Sequence, residues 1–252
     1  MKEQKKYAIS VIAGLLTIII SSIILFSSGS YAVYTANTAK RKLPVYGVGR
    51  DDGALSISFD CAWGTDYTDK ILDTLDFYNV KATFFVVQFW AEKYPDYLKK
   101  IVGRGHEVGT HSKTHPKMSK LSAEEIEEEL KSSVAAIENV TGQKVKLFRP
   151  PFGDYDDKVI TAAENLGLYT IQWNVDSLDW KNLSAEQIAA RVIKKAGSGS
   201  IILMHNNGLH TAESLPLIFT ATQQKGLVYR SISELIYTDD FRITPDGTQI
   251  KN

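Results

Sequence analysis

Two histidines four residues apart stand in the stretch Thr110-His111-Ser112-Lys113-Thr114-His115. That spacing can turn both imidazoles onto one side of a single turn, where they could hold a divalent metal ion. Upstream, Ser58-Phe59-Asp60 ends an apolar run with a carboxylate; downstream, Leu203-Met204-His205 ends another with an imidazole. A base, an acid and a metal-binding pair are the parts of a metal-assisted hydrolase. One such histidine pair is a weak signal alone, because chance produces many. His106 and His210 read as structural or exposed histidines.

These side chains need elements to position them. From Ala54 onward, short apolar runs alternate with amphipathic stretches, the pattern of strand-then-helix units. The runs predict strands at 54–59, 82–87, 107–110, 147–149, 169–174, 200–204 and 227–229. Helices are predicted at 68–78, with Ile71, Leu72, Leu75 and Phe77 on its apolar side, and at 92–103. A third runs from 122 to about 140, opened by a Ser122/Glu125 capping box and stopped by Thr141-Gly142. Others span 156–166, ended by Gly167, then 184 to about 197 and 213–225. The alternation implies an α/β fold, a distorted (β/α)7-type barrel of parallel strands. Sites on such sheets lie at the carboxyl ends of strands, where Asp60, His111, Arg149, Asp176 and His205 all fall.

The chain has 252 residues, 44% hydrophobic and 23% charged, ordinary for a globular protein with a full core. Lys plus Arg and Asp plus Glu both number 29, so no global basic field argues for nucleic acid. A single cysteine, Cys61, excludes an intramolecular disulfide framework. Lys2, Lys5 and Lys6 precede an uncharged run over 7–26. At about 1.5 Å per residue that run can cross a ~30 Å hydrocarbon layer, and the flanking charge favours an N-in, C-out orientation. The competing reading is a cleaved signal peptide, with small residues at Ser30-Tyr31-Ala32. Both put the remainder outside the cytoplasm. The expected organisation is a basic tail at 1–6, an N-terminal transmembrane anchor or signal at 7–26, a stalk at 27–53, a catalytic domain at 54–240 and a tail at 241–252. Oligomeric state is invisible at this level.

Five motifs in order then identify a resemblance. Ser58-Phe59-Asp60-Cys61, His111-Ser112-Lys113-Thr114-His115, Arg149-Pro150-Pro151-Phe152-Gly153, Asp176-Ser177-Leu178-Asp179-Trp180 and Ile202-Leu203-Met204-His205-Asn206 together resemble the polysaccharide deacetylases with a NodB-homology domain, carbohydrate esterase family 4. The match covers about residues 50–236, with some likeness to a sporulation-associated peptidoglycan deacetylase branch. The resemblance implies a metal-dependent removal of N-acetyl groups from an amino-sugar polymer, peptidoglycan first and chitin-like oligosaccharide next. It implies Asp60 as the base that deprotonates water, and Arg149 as the guanidinium holding that carboxyl ionised. Phe152 would donate its backbone N–H to the oxyanion. His205 would be the general acid, oriented by Asp179. Trp180 and Leu203 would wall the acetyl pocket. His111 and His115 would bind the metal, zinc first, with cobalt or another divalent ion as alternatives.

The departure is Cys61, where the family usually places a second aspartate as third metal ligand, and which Ala62-Trp63-Gly64 follows instead of Gly-Pro. Cys61 could ligate as thiolate, Asp66 could replace it, or Cys61 could simply pack, leaving two histidines. The missing ligand also keeps open a catalytically impaired glycan-binding relative, and a hydrolase of another C–N bond on the same fold. The acidic run Glu124, Glu125, Glu127, Glu128 and Glu129 reads as the solvated first turns of a helix. Trp90 with Phe89 could stack a sugar or pack a helix start, and Trp173 reads as core.

Overall fold

The computed structural model describes residues 41–252, and the compact unit runs from Lys42 to Asn252. The apolar run at 7–26 lies outside the described residues. Among those, no helix is long and apolar enough to cross a membrane.

The strands are β1 (Gly47–Val48), β2 (Ala54–Cys61), β3 (Thr83–Val86), β4 (Glu107–Thr110), β5 (Leu147–Phe148), β6 (Tyr169–Thr170), β7 (Val175–Asp176), β8 (Ile201–His205), β9 (Val228–Tyr229), β10 (Phe241–Ile243) and β11 (Thr248–Lys251). The helices are α1 (Thr68–Phe77), α2 (Gln88–Lys93), α3 (Pro95–Gly103), α4 (Ala123–Thr141), α5 (Asp157–Asn165), α6 (Ala185–Lys195), α7 (Thr211–Gln224) and α8 (Ile232–Leu235). The main sheet has the order β6-β5-β4-β3-β2-β8-β7, with β9 paired to the start of β2, and its pairs are parallel.

The expected barrel is therefore a curled sheet whose edges, β6 and β7, do not pair with each other. The segment leading into β1 runs along that side: Val45 bridges Ile171, just past β6, and Gly47 bridges Ser200, just before β8. Residues 241–251, read as tail from sequence, pair with β1 as a three-stranded sheet, β11 lying between β1 and β10. Of the predicted strand at 169–174 only Tyr169–Thr170 forms β6, and β7 begins just past it at Val175.

Strand β2 is buried along its whole length. Its alternation sends Leu55, Ile57, Phe59 and Cys61 into the larger apolar cluster, shared with helix residues such as Ile71, Leu98 and Ile126. Ser56, Ser58 and Asp60 therefore fall on the opposite face. The helices follow their sequence signals with two exceptions. The predicted 92–103 helix is two helices, because the residue before Pro95 is pushed out of helical geometry and Tyr94 sits at φ −127°, ψ 52°. Phe77, expected on the apolar side of α1, is 83% exposed, while Ile71, Leu72 and Leu75 are buried. The Ser122/Glu125 and Ser184/Gln187 capping boxes both form, and Gly142 closes α4 in the left-handed region at φ 68°.

Candidate active site

Asp60 lies at the carboxyl end of β2, directly opposite His205 in the parallel register with β8. Its carboxylate is buried and accepts from Arg149 Nη1 at 2.8 Å. Burial pushes the Asp60 carboxyl up, but the nearby charges of Arg149, His111 and His205 outweigh it and hold the pKa below its ordinary value. Arg149 is itself fully buried; its guanidinium lies over the Phe85 ring, 4.1 Å from the centroid, and Nη2 donates to the Gln172 carbonyl at 3.2 Å. Gly109 makes that stack possible, since a Cβ there would stand 2.8 Å from the Phe85 ring.

Across the cleft, His205 is paired with Asp179, Nδ1 to Oδ1 at 2.7 Å. The other Asp179 oxygen accepts from the His205 backbone N–H at 2.7 Å and from Thr211 Oγ1 at 2.6 Å. Burial pulls the His205 imidazole down, yet the Asp179 hydrogen bond and charge prevail and raise its pKa. The site thus holds an ionised carboxylate and an imidazole biased toward its protonated form at facing strand ends.

His111 donates Nδ1–H to the Arg149 carbonyl at 2.7 Å, leaving Nε2 unprotonated and 3.5 Å from Asp60 Oδ2. His115 packs edge-on to His111, with centroids 4.9 Å apart. Burial lowers both imidazole pKa values, that of His115 to about 4, so both are neutral donors near pH 7. The turn that carries them is held by Glu129, whose carboxylate accepts from the backbone N–H of Lys113 and Thr114 at 2.8 Å each and from Thr114 Oγ1 at 2.6 Å. The solvated-face reading of the acidic run fails at this residue, because Glu129 lies on the buried stripe of α4 with Ile126, Leu130, Ser133 and Ile137. Its place in that apolar period is the signal that distinguishes it from its neighbours.

Ser112, His115, Phe152 and Leu178 all adopt left-handed φ, at 72°, 60°, 59° and 55°. Such conformations cost of order 1–3 kcal/mol each and persist where surrounding contacts impose them. All four lie inside the motifs that carry the titratable groups. At Phe152 the turn leaves the backbone N–H without an acceptor in the described chain, whereas Gly153 and Asp154 donate to the Pro150 and Pro151 carbonyls. Gln172, absent from the sequence reading, ties this turn to Arg149: its carbonyl accepts from Arg149 and its side-chain amide donates to the Gly153 carbonyl. Leu203 is buried on β8, and Trp180 is exposed beside Lys181, whose Nζ lies 4.9 Å from the ring centroid.

Neither Cys61 nor Asp66 forms a three-ligand cluster with His111 and His115 among the described residues. Cys61 is buried on the helix-facing side of β2, and burial pushes its thiol pKa well above the ordinary value, so it is no thiolate. Asp66 is exposed on the loop before α1 and lies back against Gly64. Among the described residues, no three His, Cys, Asp or Glu converge as a ligand set. The donor set therefore fits a divalent ion held by two neutral imidazoles, one short of the usual three protein ligands of a catalytic zinc site. The carbonyl anchor on His111 Nδ1 suits it to that task, since it fixes the tautomer with Nε2 free.

Residues 47–171 match the family model for polysaccharide deacetylase. The chain is 37% identical to the uncharacterized Bacillus subtilis protein YlxY over 193 residues, 77% of this chain and 60% of that one. It is 32% identical to the peptidoglycan-N-acetylmuramic acid deacetylase PdaA of B. subtilis over 191 residues, 74% of this chain and 73% of PdaA. Among solved structures, BA3943 of Bacillus anthracis, a family 4 carbohydrate esterase pseudoenzyme, superposes with TM-score 0.74 at 36% identity, covering 76% of this chain and 68% of that one. A mutant of BA3943 with restored enzymatic activity superposes equally well. This family comprises metal-dependent hydrolases that cleave amide bonds. On sequence and fold together, the chain belongs to the polysaccharide deacetylases, carbohydrate esterase family 4.

Proposed function

We propose that this chain removes N-acetyl groups from an amino-sugar polymer, with cell-wall peptidoglycan the leading substrate and chitin-like oligosaccharide the next. The observation that carries the reading is the facing pair of proton-transfer groups, Asp60 and His205, held in opposite charge states by Arg149 and Asp179. Amide hydrolysis needs a base and an acid whose environments separate their pKa values.

In the proposed reaction Asp60 takes a proton from water, and the hydroxide oxygen bonds to the acetyl carbon. The Phe152 N–H donates to the developing oxyanion. His205 then gives its proton to the sugar nitrogen as the C–N bond breaks, releasing acetate and a free amine. When held by His111 and His115, a divalent ion such as zinc would supply Lewis acidity toward the acyl oxygen and the water. We also place the domain outside the cytoplasm, tethered by the apolar run at 7–26.

The direct test is acetate release from N-acetylglucosamine polymer and from peptidoglycan, with Zn²⁺ or Co²⁺ supplied. Replacing both His111 and His115 by Ala should remove bound metal, as elemental analysis can check; unchanged metal content would relocate the ion. A second reading, a glycan-binding relative without catalysis, is favoured by the core position of Cys61 and by the likeness to BA3943. It predicts glycan binding with no acetate released under any metal.

His205 also sets the pH response. Its pKa is raised above that of an ordinary imidazole, so the acid is loaded below its own pKa and activity falls as pH rises through that pKa. Asp179→Asn removes the stabilising charge, and the alkaline limb of the pH–rate profile should move to lower pH. An unmoved limb would take this pair out of proton delivery.

A further inference from the structure

Three aromatic side chains of the motif loops stand in solvent: Trp63 is 57% exposed, Phe152 65% and Trp180 56%. Rings of this size usually bury 150–250 Å² in a core or an interface, and exposed apolar surface grouped at a cleft marks a ligand site. Trp63 and Phe152 are grouped. Both stand edge-on to His115, with ring centroids 5.1 and 4.6 Å away. They therefore flank the same imidazole at the mouth of the site.

The backbone that bears Trp63 is also anchored. The Gly64 carbonyl accepts from Trp90 Nε1 at 2.8 Å and from Asn206 Nδ2 at 2.9 Å. The Asn206 backbone N–H donates to the Asp60 carbonyl at 3.2 Å. The loop bearing the indole is thus tied to α2, to the base and to the residue after His205. Gly64 completes the turn in the left-handed region at φ 61°. Phe152 is set by its own strained turn. Such a surface is formed before a ligand arrives, which reduces the ordering cost of binding.

We propose that the Trp63 indole, with Phe152 beside it, is a stacking platform for a pyranose ring of a glycan chain. A pyranose offers an apolar C–H face and a rim of hydroxyls. The face can lie on the ring while the hydroxyls stay in water, and no charged partner is needed. The platform would hold the sugar so that its N-acetyl group reaches Asp60 and His205. The identity of the ligand as an N-acetylated glycan rests on the deacetylase reading above.

Binding can be separated from turnover by titrating tetra-N-acetylchitotetraose into the full chain carrying Asp60→Asn, followed by calorimetry. Adding Trp63→Ala should weaken Kd about tenfold or more, whereas Trp63→Phe should stay within about threefold. An unchanged Kd in Trp63→Ala, or no binding by the Asp60→Asn parent, overturns the platform. Oligosaccharide binding that depends on Trp63, in a wild-type chain that releases no acetate, upholds the platform and overturns the deacetylase reading instead.

Discussion

Asp60→Asn should reduce acetate release by about a thousandfold or more, within the ~10²–10⁴ that a positioned base contributes, with a further loss from the neutralised site. Asn keeps the shape and can still accept from Arg149 Nη1, but it cannot take a proton from water. The variant should also lose stability, because the buried Arg149 keeps a hydrogen-bond acceptor but loses its counter-charge. Circular dichroism should show an intact fold, and the chain should still bind glycan. Full activity in this variant would sink the assignment of the base and, with it, the proposed reaction.

Arg149→Leu should have the largest effect on stability. The Asp60–Arg149 pair is buried at both ends, with the arginine fully inaccessible. Removing one partner of a buried pair typically costs about 3–5 kcal/mol, because the other charge remains desolvated and unpaired. Here the stranded group would be Asp60, and the Gln172 carbonyl and Phe85 face would also lose their contacts. The denaturant midpoint should fall accordingly. Combining Arg149→Leu with Asp60→Asn should recover part of the loss, since no buried carboxylate is then left alone. A single variant that costs under about 1 kcal/mol, or a double variant no better than the single, would mean the pair is not the electrostatic unit described here.

Glu129 shows where reading the chain linearly stops. Five glutamates in six positions look like one solvated face, yet helical period places Glu129 with Ile126 and Leu130. Its three hydrogen bonds go to a turn fifteen and sixteen residues earlier. Gln172 is similar: a polar residue in an apolar run gives no hint that it joins the arginine to the Phe152 turn. Phe77 errs in the opposite direction, an aromatic assigned to the core that the helix rotates into solvent. The open side of the sheet was equally illegible, because one short segment before β2 makes single bridges beside β6 and β8, and pairings of such length leave little periodic signal.

Local chemistry did determine much. Capping boxes, glycine stops and apolar runs located most helices and strands, because those signals act over four or five residues. The five motifs singled out the candidate side chains, since few residue types can move a proton or hold an ion. Which groups meet was decided by tertiary structure. Parallel register sets Asp60 against His205, strand alternation turns Cys61 into the core, and the Gly64 anchor places Trp63 beside His115. Those outcomes depend on contacts between residues far apart in the chain, and on desolvation that no single segment can produce.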